Sequence, residues 1–487
     1  MPRWGPLPRR ELIRRSLWLG VRAKTAAAVG LFACSCGAPE PPKPSPPQCG
    51  VAGECDADLV CDLPSNRCVT SERAECTTPP CREPVAELRA EPLDQLDVLV
   101  VMDNSGSPTT QDPTLDAFPT LLDRLGRRPG GWPSLHLGVI STDVGTAPYD
   151  AFGCEGEGDD GALQFATRQA GCESPSDPYL IDEPNGGNYA GELADAFRCI
   201  ARLGITGCGF EQPLESMRRA LDGSSPINDG FLRDDAALLV LISIDEDDCS
   251  AFDRQLFDPS QDSIDDPLGP LSSFRCFEFG VQCAEPDPRA PGPRTQCRSM
   301  EHSVYLTPVA EYAQFLRELK ANPDDVAVAA IIGDVAPIEV ARNARGDPDL
   351  APSCTAEFGR ANPGVRLKTF GDAFVTRGAL GSACGDYETT MEAIAALAMH
   401  TLGSACLTRI IRSDRDCIAE VITRNGDGAV ERQPIPACDD AGAERPCYAL
   451  EGDAEECRAF EQALRFSVQW PEGDIPARAV LRCMLGS

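Results

Sequence analysis

Histidine is scarce: three in 487 residues, His136, His302 and His400. That excludes a multi-histidine zinc centre and leaves little for histidine-based catalysis. No GxSxG nucleophile elbow occurs, and no histidine lies near a candidate serine in sequence. No two cysteines are spaced CxxC, which disfavours zinc ribbons. Basic charge is also short, with 44 Lys and Arg against 76 Asp and Glu and a formal net charge of -32. A chain that acidic repels phosphate backbones, so nucleic acid is a poor partner, whereas divalent cations and basic groups suit it. A solvated acidic surface is the plainer account of the same charge.

Cysteine, by contrast, is abundant: 24 residues scattered from Cys34 to Cys483. This usage predicts disulfides formed in an oxidising compartment. The first residues agree. "MPRWGPLPRRELIRRSLWLGVRAK" is basic and "TAAAVGLFA" is an apolar run too short to span a bilayer, the pattern of an export signal over 1–33. "RRSLWL" also hints at twin-arginine export. "LFAC" resembles the bacterial lipobox, which implies cleavage before Cys34 and lipidation of that cysteine. The Pro-rich "GAPEPPKPSPPQ" that follows reads, with Cys34, as an anchor and tether over 34–48. Ser35 after the lipid cysteine resembles sorting rules for the outer membrane. The expectation is an exported, lipid-anchored protein of the bacterial envelope, in touch with the membrane through its anchor only, with Cys36 left unpaired.

Four further regions differ in texture. Residues 49–81 hold six cysteines and too few apolar residues for a core, so disulfides must hold this module. From about 95 to 410 apolar strands alternate with amphipathic helices: "LDVLVVM", "LHLGVIST", "AALLVLISI" and "VAVAAIIGD" against "EQPLESMRRALD", "VAEYAQFLRELKA" and "DYETTMEAIAALAMHTLGSAC". Strand–helix alternation predicts an α/β domain with a mainly parallel sheet. Two stretches rich in Gly, Pro, Asp and Cys, about 147–198 and 249–303, exceed what such a domain needs and read as long insertions pinned by disulfides. Residues 411–487 read as a small β-rich domain with its own cysteines. Within it "TRNGDGAVERQP" fails as an EF-hand loop, because Thr423 occupies the first ligand position and Pro434 the bidentate Glu position. Asn425-Gly426 and Asp427-Gly428 are turn residues.

Chemistry concentrates at two strand ends. "LDVLVVM" finishes in Asp103-Asn104-Ser105-Gly106-Ser107, and "AALLVLISI" finishes in Asp245-Glu246-Asp247-Asp248. Ligands of an open α/β sheet sit beyond the carboxyl ends of its strands. Carboxylates and hydroxyls delivered to one edge repel each other unless a hard, oxygen-loving cation lies among them.

"VVMDNSGS" matches the DxSxS pattern of von Willebrand factor type A (VWA) domains, a resemblance covering about 95–410. It implies a doubly wound, Rossmann-like sheet with a metal-ion-dependent adhesion site at its top. Carried over by residue, the metal ligands are Asp103, Ser105 and Ser107 from the first loop, a threonine from the second and Asp245 from the third. In "GITGCGFEQPLESM" the one threonine is Thr206, whose distance to the helix departs from the pattern, and Glu211 is the substitute ligand. The implied cofactor is Mg²⁺ (or Mn²⁺ or Ca²⁺). Its open position captures an acidic group from a protein or surface partner. Such a site binds without turnover, so no catalytic residue is expected. Asp143, ending a third strand, is either a further ligand or the cap of its own turn. The rivals are a structural envelope protein with a degenerate site and, further off, a metal-assisted hydrolase using Asp103, Asp245 and Asp247. Ser at position 105 disfavours an Asp-nucleophile phosphotransferase, which wants DxD.

Overall fold

Residues two apart on an extended chain share a face, and this divides "QLDVLVVM" between two cores. The computed structural model describes residues 59–62, 67–70, 83–89 and 92–484, without 107–108, 129, 152, 155, 375–376, 408–409, 425–429, 439–445, 455–456, 458–462 and 471–477. The export leader, Cys34, the tether, most of the 49–81 module and the Asn425–Gly428 turn lie outside the described residues.

A hairpin, β1 (Leu59–Asp62) against β2 (Arg67–Thr70), opens the described chain. β3 (Glu83–Arg89), β4 (Gln95–Met102), α1 (Gln111–Gly126) and β5 (Ser134–Ser141) follow. The first insertion supplies β6 (Leu180–Glu183), β7 (Gly186–Gly187) and α2 (Leu193–Ala201). Next come α3 (Pro213–Leu221) and β8 (Ala237–Ser243). The second insertion holds α4 (Phe274–Gly280), β9 (Val281–Gln282), β10 (Gly292–Arg294) and β11 (Arg298–Ser299). After α5 (Val309–Glu318) and β12 (Val326–Ile332) lie four short strands: β13 (Ile338–Arg342), β14 (Pro348–Leu350), β15 (Cys354–Ala356) and β16 (Gly359–Ala361). α6 (Val365–Asp372), β17 (Gly378–Ser382) and α7 (Tyr387–Leu402) complete this part. The tail contributes β18 (Cys417–Arg424), β19 (Val430–Ile435), β20 (Cys447–Glu451), β21 (Arg465–Gln469) and β22 (Arg478–Cys483).

Seven strands form the main sheet in the order β17-β12-β8-β4-β5-β6-β7. The five strands from β17 to β5 are parallel, and β6 and β7 extend the edge antiparallel. The first insertion is therefore partly sheet rather than wholly loop. On β4, Leu96, Val98, Val100 and Met102 join an apolar layer with residues of α1, α2 and α7. Leu99 and Val101 face the opposite layer, with residues of α3, α5 and α6. Strands covered on both faces must be apolar throughout, which is why they read as continuous runs. α7 is well delimited: the Asp386 side chain accepts from the Glu388 and Thr389 amides, and Gly403 ends it with φ +88°.

Tail strands β18, β19 and β22 pair in an antiparallel sheet, β19-β18-β22-β3, and β20 and β21 form a separate antiparallel pair. The edge strand β3 of the larger of these sheets comes from ahead of the main sheet, so residues 83–89 belong structurally with the tail. Fully buried Glu87 on β3 accepts from Arg377 at 2.5 Å, Arg478 at 2.9 Å and Arg89 at 2.9 Å, tying this sheet to the segment before β17. Eight disulfides occur among the described residues and use every cysteine from Cys154 onward. That many disulfides fit an extracytoplasmic, oxidising compartment. Among the described residues no helix is long and apolar enough to cross a membrane.

Candidate metal centre

The carboxyl ends of β4 and β8 lie side by side, because the two strands pair in parallel with Met102 opposite Ser243. Asp103 and Asp245 follow immediately. Gln111, at the start of α1, fixes the first loop by donating its side-chain amide to the Asp103 carbonyl at 2.9 Å. The Ser105 amide donates to Asp103 Oδ1 at 2.7 Å. Asp245 Oδ2 accepts from both the amide (2.9 Å) and the hydroxyl (2.7 Å) of Thr109.

A third carboxylate comes from the segment between α2 and α3. Gly207 N donates to the Asn104 carbonyl, Gln212 N to the Thr142 carbonyl, and Cys249 N to the Glu211 carbonyl. These bonds, with the Cys154–Cys208 disulfide, carry Glu211 to the strand ends. Asp103, Glu211 and Asp245 then converge, all buried, with a carboxylate oxygen from each within 4.8 Å of the others. Asp103 Oδ2 and Glu211 Oε2 are buried without a hydrogen-bond partner. Leaving such atoms unmet is costly unless a cation or proton satisfies them. Burial, then repulsion from Asp245, pushes Asp103 well above the usual carboxylate range, against opposing hydrogen bonds from Ser105. Burial, then Asp103, does the same to Glu211. An all-oxygen, strongly anionic set of this kind fits a hard divalent cation, with Asp103, Glu211 and Asp245 as its holders.

Ser105 is in the first loop, buried, with its amide donating to Asp103. Ser107 lies outside the described residues. Thr206 is exposed, whereas the three carboxylates are buried. The reason is local: Gly207 is pressed on Asn104, where an added Cβ would come within 2.2 Å of its Oδ1, and Thr206 is left on the outside of the turn. Asp143 caps its own turn, accepting from Gly145 N at 2.8 Å, and also holds Cys208 N at 3.2 Å.

Of "DEDD", Asp245 alone joins the cluster. Asp247 accepts from the Arg366 and Leu367 amides and so caps α6, while burial lifts it to about 6. Asp248 forms a fully buried pair with Arg366 at 2.9 Å. Glu246 is lifted to about 7, by burial and then by Asp245. Thr109 is a participant that the sequence did not disclose, since its tie to Asp245 spans 136 residues.

The insertions border this site. Ala151, Cys154, Cys208, Phe210, Cys249, Phe257 and Cys276 share one small apolar core. The β15–β16 hairpin closes another side, with the Arg360 carbonyl accepting from Thr109 and Asn362 N donating to the Asp245 carbonyl at 2.7 Å. Ile205, Phe252 and Phe358, on three of these bordering segments, are exposed large apolar side chains.

No family model and no curated protein matches the sequence. A solved structure of a conserved hypothetical protein, BatB from Bacteroides thetaiotaomicron, is similar over 64% of this chain and 100% of that one, at 9% identity and a TM-score of 0.27. An overlap that loose supports no argument about fold or function.

Proposed function

We propose that this chain is a lipid-anchored, exported envelope protein whose VWA-like, doubly wound domain holds one divalent cation and binds a partner on the surrounding loop face without chemical turnover. The observation that carries this reading is the convergence of three buried carboxylates, two with orphaned oxygens, at the ends of adjacent parallel strands. The DxSxS loop and the disulfide-braced insertions around it support a rigid recognition face. The exposed Ile205, Phe252 and Phe358 give that face apolar contact area, which singly is ordinary but together suits a protein partner. Capture of an acidic partner group by the ion, as the DxSxS resemblance implies, is disfavoured by Glu211. Three carboxylates leave a bound dication with one net negative charge, so the partner meets the rim rather than the ion.

Of the three residues that the metal-assisted hydrolase reading calls on, Asp103 and Asp245 meet, but Asp247 caps α6 instead of joining them, which weighs against that reading. The test is divalent-metal content of the purified protein, wild type against Asp103→Ala, with a partner pull-down in divalent cation or EDTA. Metal in the wild type alone, and partner retained only with cation, is the expected result. Equal, near-zero metal in both proteins sinks the reading. Ester or phosphoester hydrolysis lost in the variant favours the enzyme.

A further inference from the structure

The number, burial and surroundings of the three carboxylates bear on which cation they take. Asp103, Glu211 and Asp245 are 0%, 2% and 6% exposed. Mg²⁺ gives up its water reluctantly, demands octahedral geometry at about 2.0–2.1 Å and is held through one or two carboxylates, whereas Ca²⁺ accepts about six to eight oxygens at about 2.3–2.6 Å. Beside Glu211, the cavity that it lines with Glu246, Asp247 and Asn362 has a volume of about 20 Å³, roughly one water. An ion held among three carboxylates this deeply buried trades much of its hydration for protein oxygens. The orphaned Asp103 Oδ2 and Glu211 Oε2 supply two of them, and Asp245 supplies a third.

We propose that Glu211 is a direct cation ligand and that it makes the site selective for Ca²⁺ over Mg²⁺; this rests on the cation-site reading above. Glu211 brings a full charge where a threonine would bring a neutral hydroxyl, and affinity for Ca²⁺ rises with ligand charge. The ion then serves as a clamp. It joins the 204–212 segment, already pinned by the Cys154–Cys208 disulfide and by backbone bonds, to the ends of β4 and β8.

The test is calorimetric titration of the EDTA-stripped full chain, disulfides intact, with CaCl2 and with MgCl2, for wild type, Glu211→Gln and Thr206→Ala. Wild type should bind Ca²⁺ at least about tenfold more tightly than Mg²⁺, and Glu211→Gln should weaken Ca²⁺ by about tenfold or more while narrowing that ratio. Thr206→Ala should change neither. Failure of the wild type to bind either ion overturns the cation site itself. Wild-type binding without Ca²⁺ preference, an unchanged ratio in Glu211→Gln, or an equal loss in Thr206→Ala overturns the Glu211 assignment alone. The wild-type ratio decides the matter even if the glutamine variant folds poorly.

Discussion

Asp103→Asn should stabilise the protein in one condition and weaken it in another. Without a cation, an Asp103 oxygen lies within 4.8 Å of oxygens from Glu211 and Asp245. Two unit charges at that distance repel by about 3.5 kcal/mol at an effective dielectric of about 20. Protonation relieves part of the repulsion, and burial and Asp245 accordingly raise the Asp103 pKa. A carboxyl raised on folding contributes stability that is complete below its unfolded pKa, near 4, and is lost as pH rises through the folded value. The cation-free wild type should therefore weaken as pH rises above the ordinary carboxylate range. Asparagine keeps the shape and an Oδ1 acceptor for the Ser105 amide, and removes the charge. In EDTA at pH 8 the variant should be more stable by about 1–3 kcal/mol, the share of repulsion that protonation leaves. With Ca²⁺ at a hundredfold excess over Kd the wild type should gain about 2.7 kcal/mol and the variant little, so the order narrows or inverts. Urea unfolding followed by circular dichroism at pH 6 and pH 8, with EDTA or Ca²⁺, reads all four cases. A variant less stable in EDTA, or one gaining as much from Ca²⁺ as the wild type, refutes the reasoning.

The buried charges under the tail sheet give two further predictions. Burial alone would raise Glu87, but Arg377, Arg478, His400 and Arg89 outweigh it and hold the carboxyl well below its usual range. Glu87→Gln leaves Arg377 without an ion-pair partner among the described residues, while Arg89 and Arg478 keep Asp325 and Asp324, and should cost about 3–5 kcal/mol, seen as a lowered urea midpoint; an unchanged midpoint counts against the stabilising role of this charge cluster. His400 is held down to about 3, first by burial and then by Arg377. Its folded pKa is depressed, so between about 6.5 and 3 the unfolded chain takes up a proton that the folded chain refuses, and stability falls as pH falls. Comparing wild type with His400→Gln between pH 7 and pH 5, above the window in which Glu87 titrates, isolates this group. Equal slopes in the two proteins would exclude it.

The main strands were legible because they are buried on both faces, so every position had to be apolar; β4, β5, β8 and β12 coincide with the four runs read from the chain. α3, α5 and α7 showed themselves through apolar spacing on one side. α1 did not: Pro113 and Pro119 break its pattern, although its buried Leu115, Phe118, Leu121 and Leu125 keep the helical interval. The small strands β6 and β7 hide inside a Gly- and Asp-rich insertion, because edge strands this short need no apolar run.

At the site, local sequence alone determined that two strands end in carboxylates, and the VWA resemblance carried over Asp103, Ser105 and Ser107 from one strand end and Asp245 from the other. Only the tertiary structure decided which acidic residues meet. Glu211 joins them because the Cys154–Cys208 disulfide and backbone bonds to Asn104, Thr142 and Cys249 fold its segment inward, while Gly207 packed on Asn104 leaves Thr206 outside. Asp247 and Asp248, adjacent in sequence to Asp245, are drawn away by α6 and Arg366 across more than a hundred residues. A residue's type and place in the chain fix what charge it can offer; which partners lie within a few ångströms depends on long-range packing, and here that packing selects one carboxylate of four in "DEDD" and recruits another from a loop.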